Sequence, residues 1–123
     1  MDLEPFYFMF IAPHPQGILH GFFHTYLGAT VVGLVVGFLL IRFRKPIDQI
    51  ARFFKVEQKK ATAKTIFFSS LFAAFSHIFL DSFMHRDLQP FWPFSSQNPF
   101  LGLVEIGIIY QTTGIALLLL FMV

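Results

Sequence analysis

Three residues that can bind a metal ion recur at every fourth position near the middle of the sequence. They are His77, Asp81 and His85, at and beyond the end of the uncharged, Phe-rich segment 65–80. If this segment continues as one helix, the three side chains project from nearly the same face. Ionisable side chains beside a membrane-type helix are energetically costly to keep, so they indicate a functional site.

A second pair with the same spacing lies earlier in the chain, at His20 and His24. Side chains at positions i and i+4 of one helix can reach the same ion. The chain has no Cys, so thiolate sites are excluded and any ion is held by imidazoles and carboxylates. Such ligands suit zinc first, with manganese and iron as alternatives. We therefore predict a divalent metal site with these ligands: His20, His24, His77, Asp81 and His85.

Four carboxylates are candidates for the other roles at this site. Glu4, Asp87 and Glu105 could supply a further ligand, orient a histidine ring or act as general base for a bound water. Asp87 also fits an ordinary solvated charge at a helix end, which is the interpretation we favour for it. Asp2 and Glu4 are the predicted catalytic carboxylates, which would bridge to the ion or orient its ligands.

The composition indicates an integral membrane protein with a single domain, residues 1–123. Hydrophobic residues make up 55% of the chain and charged residues only 13%, against about 25% charged in soluble domains. Apolar stretches long enough to cross a bilayer as helices lie at about 18–41, 65–84 and 101–123. The predicted fold class is therefore all-α and polytopic, with about three transmembrane helices.

The segments outside these spans differ sharply in charge. Residues 42–64 carry eight of the nine basic residues, which predicts a cytoplasmic loop by the positive-inside rule. Residues 47–56 suggest an amphipathic helix on the membrane surface. The flanking spans favour this interpretation over nucleic-acid binding, and no nucleic-acid partner is expected. Residues 6–12 are too few to span, so we predict an interfacial or re-entrant segment.

This orientation would bring the candidate ligands together on the outer face of the membrane. The first span runs inward and the second returns, so all five histidines and five of the seven acids converge there. The aromatic residues of 91–94 would seat an amphiphilic substrate at the lipid surface. Ala29, Gly33 and Gly37 form a small-residue stripe through which a second copy could associate.

Four blocks of sequence carry a resemblance to a known family. They are D-L-E-P at 2–5, H-G-F-F-H-T at 20–25, S-H-I-F-L-D-S-F-M-H at 76–85 and P-F-W-P-F-S at 90–95. The chain resembles bacterial inner-membrane metal-dependent hydrolases, the group described as LexA-binding, inner-membrane-associated hydrolases. The resemblance implies a hydrolase site of the general phospholipase-C kind. The ligands it implies are Asp2, His20 or His24, His77 and Asp81.

The chain also differs from the family in the segment before the D-L-E-P block. Its members usually have a further N-terminal segment, with its own histidine and apolar helix, before the D-L-E-P block. The present chain begins almost at that block, so we expect one ligand of the family site to be missing.

Three functions compete on the sequence alone. The leading hypothesis is a zinc-dependent hydrolase in the bacterial inner membrane, acting on a phosphoester or lipid-like substrate. The first alternative is a haem-binding electron-transfer subunit, with His24 and His77 as axial ligands on facing spans. The second is a non-enzymatic membrane protein that associates through its small-residue stripe or its basic loop.

Overall fold

The computed structural model describes residues 3–12, 19–54 and 61–122. Within these ranges the secondary structure is entirely helical, as predicted. The helices are α1 (Leu3–Phe10), a single 3-10 turn (Phe22–His24), α2 (Tyr26–Arg42), α3 (Arg44–Phe53), α4 (Ala63–Met84) and α5 (Ile106–Met122).

The helix α2 begins at Tyr26, eight residues later than the predicted span 18–41. Thr25 is its N-cap: the backbone is extended there, and the side-chain oxygen accepts a hydrogen bond from the N–H of Gly28 at 2.9 Å. An N-cap side chain marks the residue at which a helix begins, so α2 does not extend to the residues before Thr25. The prediction that His20 and His24 lie one turn apart on a helix is therefore wrong, because both precede α2.

The pair of α2 and α4 forms the body of the fold. Ala29 is completely buried and packs with Ala74 and Ile78 of α4. A Cβ atom on Gly33 would lie 2.9 Å from Leu71 Cδ2, and one on Gly37 would lie 2.6 Å from Phe67 Cδ1. The small-residue stripe thus admits a close helix, as predicted, but that helix is α4 of the same chain. The stripe is buried within one chain, and association with a second copy would need another surface.

The helix α4 ends at Met84, so His85 does not continue the stripe of His77 and Asp81. His85 has an extended backbone, with φ of −103° and ψ of 121°. The side-chain amide of Asn98 donates to the carbonyls of Ser82 and His85, which satisfies two backbone acceptors at this helix end. The prediction of three ligands on one helix face is wrong for His85.

Residues 85–105 connect α4 to α5 and pack against the start of α2. Leu88 and Pro90 are almost completely buried, and the carbonyl of Pro90 accepts a hydrogen bond from the N–H of Tyr26 at 2.9 Å. This connection brings residues that follow α4 against the segment that precedes α2. Gly102, with φ of +72°, turns the chain before α5 begins.

The described helices only partly match the three predicted spans. Among the described residues, α4 is the one helix that by length and composition can cross a membrane, and α2 with α3 qualifies as a second only as a pair bent by 72°. The bend lies at Phe43, and α3 beyond it overlaps the segment predicted to lie on the membrane surface, with Ile50 and Phe53 exposed. The helix α5 begins at Ile106, later than the predicted start at residue 101.

Candidate metal centre

Two clusters of potential ligands lie among the described residues, and the first combines the 3-10 turn with α4. It consists of His24, His77 and Asp81, whose ligand atoms all lie within 4.8 Å of one another. Nε2 of His77 lies 3.2 Å from Oδ2 of Asp81, one helical turn further along α4. His24 reaches this helix from the segment before α2, and the ring centroids of His24 and His77 are 5.9 Å apart. We call these three residues the first group.

The second cluster lies where residues 85–105 meet the start of α2. It consists of His20, His85 and Asp87, again with ligand atoms within 4.8 Å of one another. The rings of His20 and His85 have centroids 4.2 Å apart. Nδ1 of His20 lies 2.9 Å from Oδ2 of Asp87. We call these residues the second group.

The two groups are neighbours. The rings of His20 and His24, one from each group, have centroids 4.7 Å apart and meet edge to face. The five predicted ligands are thus brought together, although they come from two distant parts of the chain. They are not gathered around one point, because they divide between the two groups.

Glu4 of α1 contacts one ring nitrogen of His24. Its Oε2 atom lies 3.0 Å from Nδ1 of His24 and accepts a hydrogen bond from the N–H of Gly21 at 3.1 Å. A Cβ atom on Gly21 would lie 2.5 Å from Oε1 of Glu4, so a side chain at this position would displace the carboxylate. A carboxylate bound to one ring nitrogen fixes the tautomer and makes the other nitrogen a better metal ligand.

Asp87 holds His20 in the same way. Its Oδ2 atom accepts hydrogen bonds from the backbone N–H groups of Leu19 and His20, at 2.9 and 3.1 Å, besides its contact with Nδ1 of His20. The interpretation of Asp87 as an ordinary solvated charge is therefore wrong. The sequence held no signal for this contact, because the two residues are 67 positions apart.

The electrostatics keep both types of ligand in the form that binds a cation. Burial lowers the pKa of His24, and the hydrogen bond with Glu4 only partly opposes this shift, so the neutral imidazole is favoured. Burial raises the pKa of Asp87, but the hydrogen bonds from His20 and the two backbone N–H groups outweigh it and lower the pKa to about 2. Asp87 is therefore a carboxylate at neutral pH.

The exposure of the site differs between its parts. The side chain of His24 is 1% exposed and that of Asp81 14%, whereas that of His77 is 35% exposed. A cleft of about 220 Å³ opens beside the second group and is lined by His20, Asp87, Gln89 and Trp92, among others. A small molecule could therefore reach the ligands from this side.

The remaining predicted residues lie elsewhere. Asp2 and His14 are outside the described residues. Glu105 is exposed just before α5 and belongs to neither group. Among the aromatic residues of 91–94, Trp92 lines the cleft, while Phe94 is 90% exposed.

Comparison with known proteins assigns the chain to a family. No curated protein and no solved structure matches it. A family model described as YdjM inner membrane protein matches residues 8–123, which includes both groups of ligands. The match agrees with the predicted inner-membrane location and leaves the chemistry of the site open. Since it covers nearly the whole sequence, the chain belongs to the YdjM inner membrane protein family.

Proposed function

We propose that this inner membrane protein is a metal-dependent hydrolase whose centre is formed by the first and second groups. The observation that carries the proposal is the pairing of two histidines with carboxylates at Nδ1, His24 with Glu4 and His20 with Asp87. Metal-binding histidines typically have such a partner. The resemblance of the sequence to metal-dependent hydrolases supports the same chemistry.

The first group offers three protein ligands, the number found in catalytic zinc sites that keep one position open. His24, His77 and Asp81 would hold one ion, and the imidazoles of His20 and His85 would hold a second, with Asp87 orienting the His20 ring. Zinc bound there would lower the pKa of a coordinated water to about 7 and polarise the attacked phosphoryl or acyl oxygen. The chain itself fixes the imidazole rings and keeps Asp87 ionised.

Glu4 has a positioning role in this proposal instead of the catalytic role predicted for it. Its carboxylate is already engaged by His24 Nδ1 and by the N–H of Gly21. The catalytic role of Asp2 stays a prediction.

The haem alternative fits the arrangement less well. Nε2 of His77, the nitrogen that would bind iron, lies 3.2 Å from the Asp81 carboxylate. Two carboxylates and a third imidazole crowd the space around His24, which suits a small hard cation better than a flat macrocycle. The non-enzymatic alternative predicts that the chain binds no metal at all.

We further propose a three-span topology in which α2, α4 and α5 cross the inner membrane and residues 42–64 face the cytoplasm. The support is the charge of that loop and the bend of 72° that turns the amphipathic α3 away from α2. Both ligand groups lie at the opposite ends of α2 and α4 from this loop. The centre would therefore face the periplasmic side.

Elemental analysis of the detergent-purified protein tests the metal proposal. We expect up to two zinc ions per chain, and loss of the ion of the first group in His77→Ala and in Asp81→Ala. Asp48→Ala is the matched control, because Asp48 lies on α3 beside Arg44 and outside both groups. An unchanged zinc content in both site variants rejects the proposal, and a Soret band would favour the haem alternative.

A further inference from the structure

A groove between α2 and α4 opens beside the first group. It has a volume of about 430 Å³, within the range of small-molecule sites. His77, a ligand of the first group, lies at one end of its lining. The other lining side chains that matter for its chemistry are Val32, Val36 and Leu40 of α2, and Ser69 and Ala73 of α4.

The groove exists because small residues face each other where the two helices meet. Gly33 and Ala74 are buried in the helix contact, while Ala73 and Ser69 leave space beside it. The positions from Ser69 to His77 extend about 12 Å along α4, at about 1.5 Å per residue. The groove is therefore elongated along the helix and leads away from the metal ligands.

The lining is suited to an apolar chain. Apart from His77, none of the lining residues is ionisable. Both helices are apolar, and α4 is long enough to cross a membrane, so in the proposed topology the groove lies at the depth of the lipid chains. The cleft beside the second group differs, because His20, Asp87 and Gln89 line it. The candidate centre thus adjoins an apolar groove at the first group and a cleft with ionisable side chains at the second.

We propose that the substrate is a membrane lipid, with its apolar chain in the α2–α4 groove and its hydrolysable ester bond at the two ligand groups. This inference rests on the proposed function and adds the substrate class. Hydrolysis adds one water across the ester bond and yields an acid and an alcohol, so no other reactant is needed. The groove, more than the aromatic residues of 91–94, would then select for the chain.

Photo-labelling tests where the chain of the lipid lies. The probe is phosphatidylglycerol with a diazirine in the middle of one acyl chain, mixed with the full-length protein in detergent micelles. We expect the label on groove residues such as Val36 and Ala73, in excess of Val35 and Phe72, which are exposed on the same helices and do not line the groove. Equal labelling of all four positions overturns the inference.

Substitutions that fill the groove provide the second arm. Ala73→Leu should lower the groove label about tenfold, because added side-chain volume competes with the chain for the same space. Ser69→Leu, further from the site, should act in the same direction if Ala73→Leu does not fold. Ala63→Leu adds the same volume to α4 at an exposed position outside the groove and should leave the label unchanged.

Metal content, measured on the same samples, separates the two proposals. We expect Ala73→Leu to keep the zinc content of the unmodified protein. Bound zinc with an unaltered label in Ala73→Leu and Ser69→Leu overturns the lipid inference alone. Absence of zinc from the unmodified protein rejects the proposed function, and a specific groove label would then still establish the lipid site.

Discussion

Glu4 and Asp87 hold two histidines of the candidate centre through the same ring atom. In each case a carboxylate oxygen lies about 3 Å from Nδ1 and also accepts a hydrogen bond from a backbone N–H group of the segment 19–21. The bond at Nδ1 directs the lone pair of each imidazole to Nε2. The two carboxylates therefore set the direction in which His20 and His24 can bind an ion.

Replacement of Glu4 should weaken metal binding without abolishing it. We expect Glu4→Gln to lower the zinc affinity about 10–100-fold, since loss of the carboxylate partner of a ligating histidine typically has this effect. The amide oxygen of Gln can still accept the bond from Gly21, so the backbone should keep its position. Competition with a chelator of known affinity measures the change. Glu105→Gln is the control, and equal affinities in the two variants would contradict the role given to Glu4.

The Asp87 carboxylate should stabilise the folded chain at neutral pH and lose this effect in acid. Its folded pKa of about 2 lies below the ordinary value of 3.8. The unfolded chain therefore binds the proton more tightly, so the contribution is complete above pH 3.8 and is lost as the pH falls towards 2. Thermal unfolding in detergent should show Asp87→Asn less stable than the unmodified protein, with a difference that narrows over this window.

Asp48→Asn is the control for this pH dependence. Asp48 and Arg44 are both more than one third exposed and 3.9 Å apart, and such surface pairs contribute little to stability. We expect a small difference in melting temperature at every pH. A difference for Asp87→Asn that stays constant down to pH 2 would show that its ionisation does not matter.

The sequence predicted which side chains come together but not their grouping. Uncharged flanks and fourfold spacing were enough to select His77 and Asp81, which do meet on α4. His85 joins the second group because α4 ends before it, and that end depends on Asn98, 13 positions further on. Asp87 gained its role from His20, in a contact that only the folded chain creates.

At the scale of elements, the contact between α2 and α4 decides the geometry of the centre. His24 immediately precedes α2, and His77 and Asp81 lie on α4, so the spacing of these helices sets the distances within the first group. Gly33 lies in this contact, where an added Cβ atom would come within 3.1 Å of the Leu71 backbone. A change in this contact should therefore alter both stability and metal binding.

Alanine at two glycine positions should have opposite effects on stability. In Gly33→Ala the new methyl group would lie 2.9 Å from Leu71 Cδ2 and 3.1 Å from Leu71 Cα. We expect a loss of about 1–2 kcal/mol in the free energy of unfolding, because overpacking outweighs the gain in helix propensity. In Gly114→Ala, on α5, the new methyl group would have no described neighbour from another part of the chain within 4 Å. We expect this variant to gain up to about 1 kcal/mol in the free energy of unfolding.

Denaturation in detergent measures both effects, and zinc binding separates them further. Gly33→Ala should also lower the zinc affinity of the first group, whereas Gly114→Ala should not change it. Equal stability of the two variants would mean that α2 and α4 can move apart at no cost. The small-residue stripe predicted such a contact, but its partner could not be identified from one sequence, because a second copy and α4 present similar small residues.

At the scale of the whole molecule, the direction in which the chain crosses the membrane decides which compartment supplies metal and substrate. The all-α class follows from composition, which is why it was predicted correctly. The number of spans is harder to predict from composition, because the chain bends at Phe43 and α2 has only 17 residues. Composition counts apolar residues but does not show where a helix turns.

Cysteine labelling should establish the orientation, because the chain has no Cys of its own. We expect Ser96→Cys, in the connection beside the second group, to react with a membrane-impermeant maleimide in intact spheroplasts. Lys45→Cys, on the basic helix α3, should react only after permeabilisation. Both positions are exposed, so accessibility to the reagent is determined by the membrane. The reverse pattern would place the centre in the cytoplasm.

The helix α1 should also report whether a metal ion is bound at the candidate centre. No residue of α1 is buried, yet its Glu4 reaches the ring of His24. A cation on the far nitrogen of that ring makes the near N–H more acidic and its bond to Glu4 stronger. By linkage, saturation with metal should slow amide exchange along α1. Amide exchange in α1, a helix with no buried residue, would thereby report whether the centre holds a metal ion.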